Sequence, residues 1–171
     1  MKNVILIGLL IFFAACTAPL NQEKENLDGE TILIGSVTWE GLTKEPYGEW
    51  FTTNYLSYNT DNESLNMIEQ AMNELEITVF LGSWCEDSQV QVPQFYKMLD
   101  QVGYDISSLN VIALERLENR DLVGPAGEEE GFNISHVPTF IFYKDGIELG
   151  RIVEYPTRTI EKDMVEIILG K

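Results

Sequence analysis

The sequence predicts an α/β fold, because short apolar runs of strand length alternate with segments of helical periodicity. Residues 77–82 and 110–114 are two such runs, and both have the character of buried strands. Residues 85–102 lie between them and place apolar side chains on one face of a helix. Strands joined by a helix pair in parallel, and parallel strands need helices over their faces. We therefore expect a central sheet flanked by helices.

Three elements are predicted ahead of residues 77–82. Residues 31–35 are a short apolar run that predicts a strand. Residues 39–58 are rich in aromatic side chains, which we expect to pack on the domain as an N-terminal layer; a ligand-binding aromatic surface is the alternative. Asp61 or Asn62 is placed to cap a helix that continues to about Leu75.

A helix and a long connection follow the strand over 77–82. The helix over 85–102 contains Pro93, and a proline inside a helix predicts a kink. Residues 115–133 are an acidic, glycine-bearing connection with room for one short helix.

The C-terminal part of the chain predicts a hairpin and a last helix. Asp145-Gly146 stands between two apolar runs and is a strong signal for a hairpin turn. The hairpin adds antiparallel strands, so we expect a mixed sheet. Thr159 is placed to open the last helix, which should stop at Gly170.

The composition excludes several classes of function. The chain has 11 Lys+Arg against 28 Asp+Glu, a net charge of −17 and a pI near 4.2. A surface this acidic repels phosphate, so we expect no nucleic-acid partner. The only histidine is His136, which excludes HExxH proteases and multi-histidine metal sites. We expect neither a metal nor another cofactor.

The N-terminal segment resembles the signal peptide of a bacterial lipoprotein. A short basic start is followed by an apolar run over 4–15, which is shorter than the roughly 20 residues of a membrane span. Two alanines precede Cys16, the residue at which such a protein is cleaved and acylated. We therefore assign 1–15 as signal peptide, 16–30 as a flexible tether and 31–171 as the domain. An ordinary secretory signal, with Cys16 incidental, is the alternative.

This assignment implies a location and leaves one thiol. The protein would be lipid-anchored in the cell envelope, with the anchor as its only membrane contact. Thr17 after the cysteine, rather than Asp, favours the outer membrane and the periplasm. The chain has two cysteines, so acylation of Cys16 leaves Cys85 as the only free thiol.

Cys85 stands where a helix is predicted to begin after a buried strand. Free N–H groups and the helix macrodipole favour a thiolate there, and the thiolate is the nucleophile. Ser88 lies one helical turn further on, and its hydroxyl is placed to donate to that thiolate. Glu86 and Asp87 act in the opposite direction, because like charges disfavour a thiolate. The sequence leaves this balance open.

Three features of the chain resemble the thioredoxin family. Trp84-Cys85 follows an apolar strand, Pro93 lies eight residues after the cysteine, and Val137-Pro138 precedes the predicted hairpin. The resemblance covers about residues 76–170. It implies a thioredoxin-like central mixed β-sheet flanked by helices, with an N-terminal extension.

The resemblance also implies the parts of a site. A cis-proline at Pro138 would lie beside Cys85, and Trp84, Val137 and His136 would line the substrate groove. His136 could polarise Cys85 or take its proton. A solvated loop histidine is the alternative.

Two departures from the family pattern bear on function. Ser88 replaces the usual second cysteine, and Val79 stands where the family often has a buried acid. The usual cycle ends when a second thiol attacks the mixed disulfide, and this chain lacks one. Ser88 is alternatively a helix-start residue in a domain without chemistry.

We therefore expect single-cysteine thiol–disulfide exchange through Cys85, in a monothiol oxidoreductase or isomerase whose partners are protein or small-molecule thiols and disulfides. An external thiol would resolve the mixed species. A non-catalytic binding module with a thioredoxin fold is the alternative. A peroxidase-like use of Cys85 would need an arginine to stabilise the peroxide. Folding would have to bring Arg116, Arg120 or Arg151 close to the cysteine.

Overall fold

The computed structural model describes residues 19–170, which form eight strands and five α-helices. The strands are β1 (Gln22–Glu25), β2 (Thr31–Ser36), β3 (Glu76–Leu81), β4 (Asn110–Ala113), β5 (Glu115–Arg116), β6 (Leu122–Val123), β7 (Thr139–Lys144) and β8 (Ile147–Val153). The helices are α1 (Trp39–Thr43), α2 (Gly48–Ser57), α3 (Asn62–Met72), α4 (Glu86–Gln101) and α5 (Ile160–Leu169), with a 3₁₀ turn at Ile106–Ser108. The predicted signal peptide and Cys16 lie outside the described residues.

A mixed six-stranded sheet in the order β1-β2-β4-β3-β7-β8 organises this part of the chain. Strands β3 and β4 pair in parallel, and the other neighbours pair antiparallel. Helix α4 connects the parallel pair, as expected for a parallel connection. Asp145 and Gly146 both have positive φ in the turn between β7 and β8, which fits the predicted hairpin. The predicted mixed sheet flanked by helices is confirmed.

The two faces of the sheet are covered differently. Alternate side chains of β3, such as Val79 and Leu81, point into a large apolar core shared with α2, α3, α4 and α5. Phe80 points to the opposite face, into a smaller cluster covered by residues of the segment between β4 and β7, among them Leu122 and Phe132. The second face is therefore covered by irregular chain and a short hairpin rather than by a long helix.

The aromatic N-terminal layer forms α1 and α2 and packs on the domain. The rings of Trp39 and Phe51 meet edge to face with centroids 5.0 Å apart. Phe51 also meets Tyr96 of α4 at 5.5 Å, and its side chain is buried. The packing interpretation of these aromatics is confirmed; the sequence did not predict the two helices.

The flexible tether predicted over 16–30 is wrong for its second half, because Gln22–Glu25 forms β1 against β2. Asn26 turns the chain between these strands: its Oδ1 accepts hydrogen bonds from the amides of Asp28 (3.0 Å) and Glu30 (2.9 Å). The strand is polar and lies at the edge of the sheet. Backbone pairing rather than buried side chains holds it, so its sequence lacks an apolar pattern.

The connection over 115–133 contains a small hairpin where a short helix was expected. Glu115 and Arg116 of β5 pair with Val123 and Leu122 of β6. Lys24 of β1 ties the hairpin to the sheet edge, with its Nζ 2.7 Å from a Glu115 carboxylate oxygen.

Two helical features agree with the sequence. Pro93 lies inside α4, and α5 begins with its cap at Thr159, both as predicted. No helix among residues 19–170 is long and apolar enough to cross a membrane.

Candidate functional site

Cys85 caps the N-terminus of α4, directly after the loop that leaves β3. Its backbone is extended, and its amide donates to the carbonyl of Gly82 at 2.9 Å. The side chain is half-buried and makes no cap bond to the first turn of the helix. Its Sγ instead donates to the carbonyl oxygen of Val137 at 3.4 Å. A thiol can donate this bond only while it is protonated. The short distance places the sulfur against the loop that carries Pro138.

The loop before β7 is fixed from several directions. The peptide between Val137 and Pro138 is cis, as expected, and both residues are buried. The amide of Glu154 donates to the carbonyl of Pro138 at 2.8 Å, and Thr139 Oγ1 donates to the carbonyl of His136 at 2.7 Å. Glu154, just after β8, and Thr139, at the start of β7, therefore hold the carbonyls on the two sides of the cis bond.

Gln91 links this loop to α4, a role that the sequence did not predict. Its side chain is buried, and Nε2 donates to the carbonyl of Glu154. Glu154 in turn bonds to Pro138. The chain from Gln91 to Pro138 fixes the distance between the helix that carries Cys85 and the cis-proline loop. No local pattern signals it, because the partners lie 63 positions apart.

Trp84, the residue before Cys85, lines the same cleft as the cysteine. Its indole Nε1 donates to the carbonyl of Leu114 at 2.8 Å. A Cβ atom at Gly82 would lie 2.7 Å from the ring, so only glycine allows the indole to approach the backbone there. The guanidinium of Arg116 lies over the ring at 4.5 Å from its centroid. The ring is thereby held between the end of β4 and a cation.

Ser88 does not form the hydrogen bond to Cys85 that the sequence suggested. It is fully buried, and its Oγ accepts a hydrogen bond from the amide of Gly82 at 3.2 Å. No hydrogen bond joins it to the cysteine sulfur among the described residues. The hydroxyl instead fastens the first turn of α4 to the end of β3.

His136 lines the cleft in front of Cys85 without bonding to it. The ring is exposed, and its Nδ1 lies 3.1 Å from Ser135 Oγ. The arrangement matches the interpretation of His136 as a solvated loop residue.

Asp87 brings a negative charge to the cleft, while Glu86 points to solvent. The hydroxyl of Tyr155 donates to Asp87 Oδ2 at 2.8 Å. This bond raises the pKa of Tyr155 above its ordinary value, and partial desolvation adds to the effect. The sequence did not predict this role of Tyr155, which comes from the loop after β8 and contacts the cleft residue Asp87.

Trp84, Cys85, Asp87, His136 and Val137 are among the residues that line a cleft of about 300 Å³. Of the three arginines that could reach Cys85, Arg116 and Arg120 line this cleft. Arg151 does not, because its guanidinium is held by Glu148 (2.6 Å) and by the carbonyl of Phe132 (2.8 Å). Within residues 19–170, no group of three or more His, Cys, Asp or Glu side chains could hold a metal ion.

Comparison with known proteins gives a consistent family. A family model described as thioredoxin matches residues 43–166, more than half of the chain. No curated protein matches the chain.

The solved structures that match the chain include thioredoxins. Oxidized thioredoxin O2 from Arabidopsis thaliana is 19% identical, over 64% of this chain and 86% of its own, with a TM-score of 0.38. Mitochondrial thioredoxin 3 from Saccharomyces cerevisiae is 18% identical, over 69% and 99%, with a TM-score of 0.38. A protein of unknown function from Pseudomonas aeruginosa is 11% identical, over 80% and 82%, with a TM-score of 0.51. This last likeness concerns the fold alone.

A substitution at Ser83 tests the hydrogen bond that holds the loop before Cys85 to β2. Its buried Oγ accepts a hydrogen bond from the amide of Leu33 at 2.9 Å, which ties β2 to the loop before Cys85. Ser83→Ala should lower the free energy of unfolding by about 1–3 kcal/mol, because that amide loses its acceptor. Chemical denaturation measures the change. The control Ser57→Ala, at an exposed position of α2, should cost less than about 0.5 kcal/mol. Equal costs would contradict the anchoring role.

Proposed function

Because this chain belongs to the thioredoxin family, we propose that it carries out thiol–disulfide exchange with the single thiol of Cys85 and a resolving thiol from outside the chain. One observation carries the proposal. Cys85 is a free, half-exposed cysteine at the start of α4, and its sulfur faces the cis-proline loop at 3.4 Å from the Val137 carbonyl. The cis-proline loop therefore places backbone groups next to Cys85, the only free thiol among the described residues.

The exchange needs no other oxidant or cofactor. Cys85 loses its proton, and the thiolate attacks one sulfur of a disulfide. A bond forms between Cys85 Sγ and that sulfur, and the original disulfide bond breaks. The second sulfur leaves with the electron pair and takes up a proton. An external thiolate then attacks the mixed disulfide and regenerates Cys85.

Ser88 supports the dependence on an external thiol. It occupies the position one turn after Cys85 where a resolving thiol would stand, and its buried hydroxyl is engaged with the amide of Gly82. A hydroxyl does not perform disulfide exchange. The mixed disulfide therefore persists until another molecule resolves it.

A non-catalytic binding module is the second candidate, and Asp87 favours it. Its carboxylate lies at the same cleft as Cys85 and opposes the thiolate on which the exchange depends. In that case the cleft would hold a partner without forming a covalent bond.

Ser88→Cys distinguishes these candidates. In a Cys16→Ser background, the prereduced variant should release one equivalent of reduced product from a disulfide-bonded substrate protein, because the new thiol attacks the mixed disulfide. The unsubstituted Ser88 protein should form the mixed disulfide and release none. Thiol titration after removal of reductant measures the product. We expect slow release, because the apolar side chain of Val79 offers no carboxylate to the second thiol.

The matched control is Val90→Cys, which adds a thiol at an exposed position of α4. It should behave like the protein without a second thiol. Release by the protein with Ser88 intact would contradict single-cysteine exchange. Failure of Cys85 to form any mixed disulfide would favour the binding module.

We further propose that the mature protein is held at the cell envelope by lipid on Cys16 and faces the periplasm. The support is the apolar run over 4–15 and the alanines before the cysteine. Cys16→Ser should abolish labelling by a fatty-acid probe and release the protein from the membrane fraction. The control Cys85→Ser should leave both unchanged. Full membrane retention of Cys16→Ser would refute the anchor.

A further inference from the structure

The four arginines of the chain fall into two pairs with different surroundings. Arg151 and Arg158 form ion pairs with carboxylates at 2.6 Å. Arg116 and Arg120 form none within 4.0 Å among the described residues, although the chain has 28 acidic residues. Both of these arginines line the Cys85 cleft.

The hairpin β5–β6 holds these two guanidinium groups at the cleft. Arg116 stacks on the indole of Trp84, which fixes its plane. Glu115, its neighbour, is occupied by Lys24 through both carboxylate oxygens, at 2.9 and 2.7 Å. Arg120 lies in the turn, where its amide donates to the carbonyl of Leu117 at 2.9 Å. Lys24 thus neutralises Glu115, and neither arginine is consumed by an ion pair among the described residues.

The cleft continues past the arginines. An adjoining cleft of about 510 Å³ shares Trp84, Arg116 and Arg120 with it. This second cleft is also lined by the acids Asp28, Glu30 and Glu118, so the side nearer Cys85 is the better place for an anionic ligand. Each volume falls within the range of about 300–1,000 Å³ typical of sites for small molecules. The carboxylates at the Cys85 cleft are Asp87, which accepts from Tyr155, and Glu154.

We propose that this site recognises a low-molecular-weight thiol, or its disulfide, that carries carboxylate groups. Arg116 and Arg120 bind the carboxylates through charge-assisted hydrogen bonds while a ligand sulfur lies at Cys85. The inference rests on the exchange function proposed above and names the external thiol. A large acidic protein is disfavoured, because a chain of net charge −17 repels it over a wide surface. A small anion experiences mainly the local guanidinium groups, since salt screens charges beyond roughly 8–10 Å.

The covalent step uses the ligand's own disulfide. The Cys85 thiolate attacks one sulfur, the ligand disulfide breaks, and the departing half leaves as a carboxylate-bearing thiolate that is protonated. Attack by a thiolate of another molecule on the ligand sulfur of the mixed disulfide then restores the Cys85 thiol and joins that molecule to the ligand half, so one disulfide is broken and one is formed. No electrons enter from another source in either step.

Three disulfides of equal arm length test the proposal by charge alone: 3,3′-dithiodipropionate (anionic), bis(2-hydroxyethyl) disulfide (neutral) and cystamine (cationic). The rate of mixed-disulfide formation at Cys85 is measured by intact mass at an ionic strength of about 0.15 M, in a Cys16→Ser background. The overall field of the chain predicts that cystamine reacts fastest. Recognition by the two arginines reverses this order, and we expect the anionic disulfide to react roughly tenfold faster than cystamine.

Substitutions distinguish the effect of Arg116 and Arg120 from the effect of the protein's overall negative charge. Arg116→Gln combined with Arg120→Gln should make cystamine the fastest of the three. Arg120→Gln alone, at an exposed turn, should weaken the preference without affecting the fold. The control Lys162→Gln, which removes the same charge from α5, should leave the anionic preference intact.

The outcomes distinguish this inference from the exchange function. If all three disulfides modify Cys85 and cystamine is fastest in the protein with both arginines, the inference is wrong and exchange stands. An anionic preference that survives both arginine substitutions also overturns it. If none of the disulfides modifies Cys85, the exchange function itself fails.

Discussion

The pairing of β3 with both its neighbours is the constraint on which the site depends. Its parallel register with β4 places Leu81 opposite Ala113, so both strands end at the same edge of the sheet. Its antiparallel register with β7 places Phe80 opposite Thr139, the residue after the cis-proline. Three chain segments therefore meet at one edge: the start of α4 with Cys85, the hairpin that begins at β5, and the loop that ends at Pro138. A shift of either register by one residue would separate them and turn the apolar side chains of β3 to the wrong face.

Much of this arrangement was predictable because it is encoded locally. The apolar run of β3, the tryptophan–cysteine pair and the valine–proline before a hairpin are contiguous patterns, and they predicted the positions of Cys85 and Pro138. The β1 strand was missed because its residues are polar, and it is held by backbone pairing with β2 rather than by buried apolar side chains. The β5–β6 hairpin was missed because each strand has just two residues, too few to show a period.

The contributions of Gln91 and Tyr155 were unpredictable for a different reason. Each acts across a long sequence separation, through one hydrogen bond to the other side of the cleft. Nothing in the residues around them signals this. The expected hydrogen bond from Ser88 to Cys85 is absent for a different reason: helical spacing brings the two residues near each other, but the hydroxyl bonds to the amide of Gly82. Spacing predicts which residues are neighbours and leaves the direction of the bond undetermined.

Local and global charge act in opposite directions in this protein. The net charge of −17 favours cations near the surface, and Asp87 continues that trend at the cleft. Beside Trp84, the guanidinium of Arg116 makes the local charge positive instead of negative. A single thiol in such surroundings is suited to a partner that is small, and the buried hydroxyl of Ser88 leaves completion of the exchange to that partner.

The state of Cys85 in the cell tests the central claim most directly. The protein is isolated from acid-quenched cell envelopes, so that thiols are frozen in their native state, and the peptide containing Cys85 is examined by mass spectrometry before and after reduction. Single-cysteine exchange predicts that a fraction of Cys85 carries a disulfide-linked adduct that reductant removes. A Cys85 that remains entirely a free thiol, even after the cells are treated with the thiol oxidant diamide, would contradict it.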